Sequence, residues 1–292
     1  MKIYEYARAR NIKSRDVVKK LHGMGFTFIK NHLSLVPEKV IDKLDEIPFE
    51  NRRQVKRIKT IVNITMECAP IMSLTIGEKI KNKLLTNRSK KHNIIIMPKY
   101  QMDESALEKV MDLEISIRDT IKTGKVYYTS YMDMDYFLVD NEYFLRPNAY
   151  NYPDDAERFA FLSKAALGII KSLNVNIDII NIHDWPLGLF PILFKESIKE
   201  DFPNTLIEFS VYSATYQGIY DIDVLTNVFE LDEKYYYENR LVEYANSVNF
   251  LKAGLVTSDK IDVSQNVLFD LKNSYLKAFV YDNKLNKRPL ND

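Results

Sequence analysis

The sequence predicts an α/β fold: a Rossmann-like, doubly wound, mostly parallel sheet preceded by a small all-α module. Three observations lead there. Short runs rich in β-branched residues (Ile61 to Met66, Ile94 to Met97, Ile177 to Ile182, Thr205 to Val211) are mostly apolar, as suits strands covered on both faces. A stretch of helical period lies between two of them, with apolar residues at Phe159, Leu162, Ala166, Ile169, Ile170 and Leu173. The charge is also divided: residues 1–60 carry 15 Lys/Arg against 7 Asp/Glu, which leaves 26 against 33 of the totals of 41 and 40 for the remainder. Such asymmetry points to two modules with different partners.

At 292 residues and 46% hydrophobic, the chain has room for one large domain and a small one. No apolar run approaches the roughly 18 residues of a membrane span. The opening MKIYEYARARNIKSRD lacks the apolar segment of a secretory signal. One cysteine, Cys68, excludes an internal disulfide and a cysteine-based zinc site and fits a reducing cytoplasm. It is expected to be a small buried residue at a strand end, not a nucleophile.

Residues 1–46 have the pattern of a compact helical module. One helix starts at Ile3-Tyr4-Glu5-Tyr6-Ala7, and Ser14 to Leu21 forms a second that Gly23 and Gly25 end. A third follows Pro37 through Val40, Ile41 and Leu44. His22 and His32 are expected at the surface or in packing, since nothing nearby completes a metal set. Residues 47–59 are polar and basic and predict a linker; residues 60–292 form the large domain. Its first strand, Ile61 to Met66, leaves through Glu67-Cys68-Ala69-Pro70, and Ile94 to Met97 is a second buried strand. Residues 101–135 suggest partly antiparallel hairpin material.

The next helix can be capped by Asp154 or Asp155, and Glu157 lies three residues after Asp154, the capping-box spacing. The strand Ile177 to Ile182 then delivers a polar cluster, His183-Asp184-Trp185, and a further helix follows. A ligand-facing cluster beyond the carboxyl end of such a strand is where open α/β sheets place their sites. After Thr205 to Val211, Leu241 to Leu255 predicts one helix and Val256 to Val263 the next strand. Nineteen tyrosines, including the run Lys234-Tyr235-Tyr236-Tyr237-Glu238, are expected to pack rather than to stack on sugars.

Seven blocks resemble the bacterial glycogen synthases and plant starch synthases, in the right order over roughly two hundred residues. They are MECAP (Met66 to Pro70), MPKY (Met97 to Tyr100), DNEYFLRP (Asp140 to Pro147), YNYPDDAERFAF (Tyr150 to Phe161), IHDWPLGLFP (Ile182 to Pro191), TYQGIY (Thr215 to Tyr220) and NFLKAGLVTSDKI (Asn249 to Ile261). The resemblance implies the N-terminal lobe of a GT-B glycosyltransferase that moves glucose from ADP-glucose to an α-1,4-glucan, with no metal and no other cofactor. The first 46 residues resemble the N-terminal module of bacterial translation initiation factor 2, which implies a docking module.

Departures from the synthase pattern shape the functional expectation. Where the synthases carry a phosphate-cradling Lys-Thr-Gly-Gly loop, this chain has Ser73, Leu74, Thr75 and Ile76. Glycines allow backbone N–H groups to approach phosphate; two β-branched residues in their place do not take positive φ cheaply. Gly77 and Lys79 substitute only after a shift of register. The family's His-Asp-Trp-His run is matched by His183, Asp184 and Trp185 but ends in Pro186, and its His-Asn pair is Tyr212-Ser213.

His183 is therefore the one surviving candidate for a sugar-contacting or catalytic histidine. Asp154, Asp155, Arg158, Asp184, Trp185, Tyr216 and Gln217 complete the candidate glucan-binding set. The alternatives for them are a helix cap and ion pair for Asp154, Asp155 and Arg158, and a wedge between helices for Trp185. The expectation is a synthase-like lobe that is not an autonomous transferase. Its expected ligand is an α-glucan or maltooligosaccharide. Two alternatives remain: a subunit completed by a protein supplying the C-terminal lobe, and a scaffold binding RNA or protein through basic residues 1–60.

Overall fold

A computed structural model describes residues 2–10, 12, 14–27, 29, 34–36, 38–45, 58–86 and 91–286. The chain divides into two compact units, Met1–Ile58 and Lys59–Asp292. The first contains α1 (Ile3–Ala9), α2 (Ser14–Gly23) and α3 (Glu38–Asp45). Ile3, Tyr6 and Ala7 fall on one face of α1, and Val17 and Leu21 on one face of α2; with Ile12, Ile29, Val36 and Leu44 they close a small core. The Tyr6 hydroxyl donates to Asp45 at 2.6 Å, and the Arg10 guanidinium lies 4.0 Å over the Tyr6 ring. His22 is exposed, its Nε2 at 2.5 Å from the Ile29 carbonyl, as a packing role predicts. His32 and the linker residues 47–57 lie outside the described residues.

The second unit starts with β1 (Lys59–Ile64), α4 (Thr75–Leu85) and β2 (Lys91–Pro98), followed by the antiparallel strands β3 (Glu108–Ile117) and β4 (Thr120–Tyr131) and by β5 (Met134–Asp140). Then come α5 (Asp155–Ser172), β6 (Ile179–His183), α6 (Phe190–Ser197) and β7 (Leu206–Val211). The remaining elements are β8 (Ile219–Tyr220), α7 (Lys234–Tyr237), β9 (Glu243–Tyr244), β10 (Ser247–Asn249), α8 (Phe250–Thr257), β11 (Lys260–Val263) and α9 (Gln265–Lys272). The main sheet has the order β11-β7-β6-β1-β2-β5-β4-β3, parallel from β11 to β5. It is the predicted mostly parallel α/β sheet, extended at one edge by the 108–140 hairpins.

Alternate residues of the strands feed two cores. Ile94, Ile96, Ile180, Ile182, Ile207 and Phe209 face the helices α5, α6 and α8. Ile95, Met97 and Leu138 face α4, through Ile80 and Leu84. This division follows from chain direction. From β1 the chain crosses through α4 to β2 on one side, and from β6 it crosses through α6 to β7 on the other, so right-handed crossovers put the two helices on opposite faces. The order of the strands therefore reverses between neighbours β1 and β6, and the crevice at their carboxyl ends is the place for a ligand.

Two expectations are corrected and a third holds only in part. Residues 241–255 are not one helix, because Ala245 and Asn246 both have left-handed φ (50° and 62°) and close the two-residue turn of the β9–β10 hairpin. Only from Phe250 is the chain helical, with Asn249 as N-cap accepting from Lys252 N–H. The tyrosine run 234–238 packs in part: it is a one-turn helix whose Tyr235 and Tyr236 are half-buried against the main core, while Tyr237 is 59% exposed. Finally, Asp154 sits at the α5 N-cap but accepts no capping bond there. Among the described residues no helix is long and apolar enough to cross a membrane.

Candidate functional site

Glu67 and Asp184 occupy the crevice at the carboxyl ends of β1 and β6. Both are nearly fully buried, 2% and 3% exposed. Glu67 accepts from the Tyr150 hydroxyl at 2.8 Å and, through its other oxygen, from Gly77 N–H at 2.9 Å. Leu74, the N-cap of α4, has no side-chain acceptor to offer, so Glu67 supplies from another segment the cap that the helix lacks. Burial nevertheless pushes the Glu67 carboxyl above its ordinary value, more than these two bonds pull it down.

Asp184 follows the last residue of β6 with φ at +68°, a left-handed conformation that aspartate tolerates better than most side chains. Its carboxylate accepts from the backbone N–H groups of Tyr212 and Trp185. Burial dominates over both bonds and pushes the Asp184 carboxyl up to about 7, with Glu67 raising it further and Lys79 opposing. Two acids of raised affinity for protons thus share one dry crevice.

His183 is 1% exposed. Asn63 donates with its amide nitrogen to the Ile61 carbonyl, so its Oδ1 is left to accept from His183 Nε2–H at 3.1 Å. Nδ1 then accepts from the Tyr212 hydroxyl at 2.9 Å, and the Tyr212 ring stacks on the imidazole at an 18° interplanar angle. Burial, aided by Lys83, holds the imidazole well below its ordinary pKa, hence neutral. Both nitrogens are engaged inside the protein.

The other predicted residues part company around this crevice. Arg158 is fully buried and donates to the carbonyls of Tyr143, Ala149 and Asn148 and to Asp155 at 2.5 Å. Asp154 instead forms a two-pronged pair with Arg146, at 2.5 and 2.7 Å, which holds its carboxyl below the ordinary value. The would-be capping-box Glu157 binds the Tyr143 hydroxyl and Arg118. Trp185 wedges between Phe159 and Tyr150, 5.3 and 6.2 Å between centroids, and closes on Gly218, where a Cβ would come 2.5 Å from the indole. Gln217 is buried and accepts from Asn249 at 2.8 Å, whereas Tyr216 is 68% exposed.

Ser73 and Leu74 are exposed, and Lys79 lies on the outer side of α4. Gly77 is buried on the third residue of α4, and a Cβ there would lie 2.2 Å from the Met72 carbonyl oxygen. Its N–H faces Glu67. Glu67 and Tyr150 lay within the matched blocks but were not singled out by sequence, since an isolated Glu after a strand carries no spacing signal. Cys68, beyond the end of β1, is buried and its thiol is pushed up to about 12 by burial, as an unreactive packing role requires.

Residues 60–286 match the profile of the starch synthase catalytic domain. The chain belongs to this family. The glycogen synthase of Clostridium kluyveri is 34% identical over 189 residues, which cover 61% of this chain and 39% of that protein. That of Clostridioides difficile is 32% identical over 213 residues, 68% of this chain and 44% of that protein. The chain thus spans less than half the length of these relatives. The catalytic domain of starch synthase IV from Arabidopsis thaliana, solved with ADP and acarbose, superposes with a TM-score of 0.65 at 21% identity, covering 78% of this chain and 50% of that one. This likeness establishes the fold of the synthase N-terminal lobe.

The residues at which the resemblance implies departures from the synthase pattern have structural roles here. Tyr212 occupies one nitrogen of His183. Pro186 stands in the first turn of a short 3-10 segment, Trp185–Leu187, where its missing N–H costs nothing. Thr75 and Ile76 begin α4 itself.

Proposed function

We propose that this synthase-family lobe engages α-glucan but does not by itself transfer glucose from ADP-glucose. The observation that carries the reading is the state of His183: neutral, buried, and bonded at both ring nitrogens by Asn63 and Tyr212. Glucosyl transfer develops positive charge on the sugar and negative charge on the leaving phosphate, and it needs preorganised groups aimed at both. An imidazole with no free nitrogen offers neither a proton nor a hydrogen bond to a ligand.

The phosphate side supports the same reading. A helix start cradles phosphate by presenting unpaired N–H groups on a permissive backbone. Here Gly77 N–H is paired with the Glu67 carboxylate, and no glycine stands in 73–76. The test is incubation of the full chain with radiolabelled ADP-glucose and glycogen. The expected result is no label in the precipitated polymer; incorporation above the protein-free blank contradicts the proposal.

A further inference from the structure

At the level of Asp112 to Glu114, the hairpin extension of the sheet buries one face only. Leu113, Ile115 and Val126 belong to the core that includes α5. Because side chains alternate along a strand, Asp112, Glu114, Thr123 and Lys125 stand on the opposite face, and all four are exposed. They line a cavity of about 420 Å³ together with Asp140, Glu142 and Leu145. That volume falls within the roughly 300–1,000 Å³ of small-molecule sites.

The backbone around this cavity is fixed. The Asn141 amide donates to the Thr123 carbonyl at 2.6 Å, and its oxygen accepts from Tyr143 N–H at 2.9 Å. At Gly124 a Cβ would come 2.7 Å from the Asp140 carbonyl oxygen, so β4 lies tight against β5 there. The charges in the cavity are unevenly matched. Asp112 pairs with Lys109 at 2.6 Å and Glu142 with Lys122 at 3.2 Å. Asp140 lies 3.6 Å from Lys99, which also binds Glu104. Lys125 stands in register between Asp112 and Asp140, where opposite charges attract across strands, yet it pairs with neither. Among the described residues, Glu114 and Lys125 are the lining's unmatched carboxylate and unmatched ammonium.

We propose that this cavity binds a free aliphatic α-amino acid as its zwitterion, apart from the crevice between β1 and β6. The ligand carboxylate meets Lys125 and the ligand ammonium meets Glu114. A simple cation or anion leaves one of these two side chains unmatched, and a neutral sugar uses neither charge. Glu114 pairs in register with Thr123, so it is the diagonal neighbour of Lys125. Such neighbours lie about 7–8 Å apart, within reach of long side chains. A small molecule with both charged groups on one carbon bridges that gap. Thr123 adds a hydroxyl beside Glu114, and Leu145, 51% exposed, offers an apolar contact for the ligand side chain. Charge-assisted hydrogen bonds at both ends, on a backbone already fixed, supply the affinity. Nothing in this inference depends on the α-glucan reading.

Isothermal titration of the full chain with L-leucine tests it. Saturable heat at one site is expected. Lys125→Met and Glu114→Gln should each weaken binding at least tenfold and leave the melting temperature unchanged, since both side chains are exposed. N-acetyl-leucine, which lacks the positive charge, and leucinamide, which lacks the negative one, should each bind at least tenfold more weakly than leucine. No saturable heat with leucine overturns the proposal. So does binding that survives both substitutions, which puts the ligand elsewhere, or a blocked derivative that binds as tightly as leucine.

Discussion

Asp184→Asn should make the chain more stable as pH rises, relative to the unsubstituted protein. The buried carboxyl has its affinity for protons raised from an ordinary 3.8 to about 7. At 1.36 kcal/mol for each pH unit, this corresponds to a contribution on the order of 4 kcal/mol. The sign follows from which state holds the proton. Between about pH 4 and pH 7 the folded protein binds a proton at Asp184 that the unfolded chain has released. The contribution is thus fully present below the unfolded value and is lost as pH rises through 7.

Asparagine is the neutral counterpart of the protonated acid, keeps an oxygen for the Tyr212 N–H, and tolerates the left-handed φ of +68°. It should abolish that loss. Urea unfolding can be followed through the fluorescence of Trp185, the single tryptophan and the next residue in the chain. The stability of the variant minus that of the parent should grow by roughly 1.4 kcal/mol per pH unit from pH 5 to 7 and then level off. A difference that does not change with pH refutes the burial argument for Asp184.

Three other substitutions test the packing of the lobe. Gly77→Ala places a methyl 2.2 Å from the Met72 carbonyl oxygen, a backbone atom, and should cost about 1–3 kcal/mol in unfolding free energy, whereas Gly168→Ala in α5, with nothing within 4 Å, should gain roughly 0.5–1 kcal/mol. Equal effects at the two glycines would show that α4 yields freely. Arg158→Met should lower stability by about 3–5 kcal/mol in the same urea assay, because it strands Asp155 and three backbone carbonyls in the interior; a loss below about 1 kcal/mol refutes its structural assignment.

Strand runs such as Ile94 to Met97 were legible because burial on both faces forces continuous apolar sequence, and the α5 stripe because Phe159, Leu162 and Ala166 repeat at helical spacing. The β9–β10 hairpin was not. Its signal is the alternation of Val242, Tyr244 and Val248 around Ala245-Asn246, and alanine is an unusual residue for left-handed φ. The placement of His183 at the end of a strand could be read from sequence, but its state could not. That depends on Asn63 and Tyr212, which are 120 and 29 residues away. Likewise, the Asp154–Glu157 spacing fits a capping box, yet Arg146 and Arg118 outcompete the backbone for those carboxylates.

Titration of the full chain with ADP, read by calorimetry and by Trp185 fluorescence, tests the central claim most directly. With the Gly77 N–H already paired to Glu67 and His183 enclosed, no heat and no quenching are expected up to millimolar nucleotide. Saturable binding in the micromolar range, abolished by a bulky substitution at Ser73, would contradict the account.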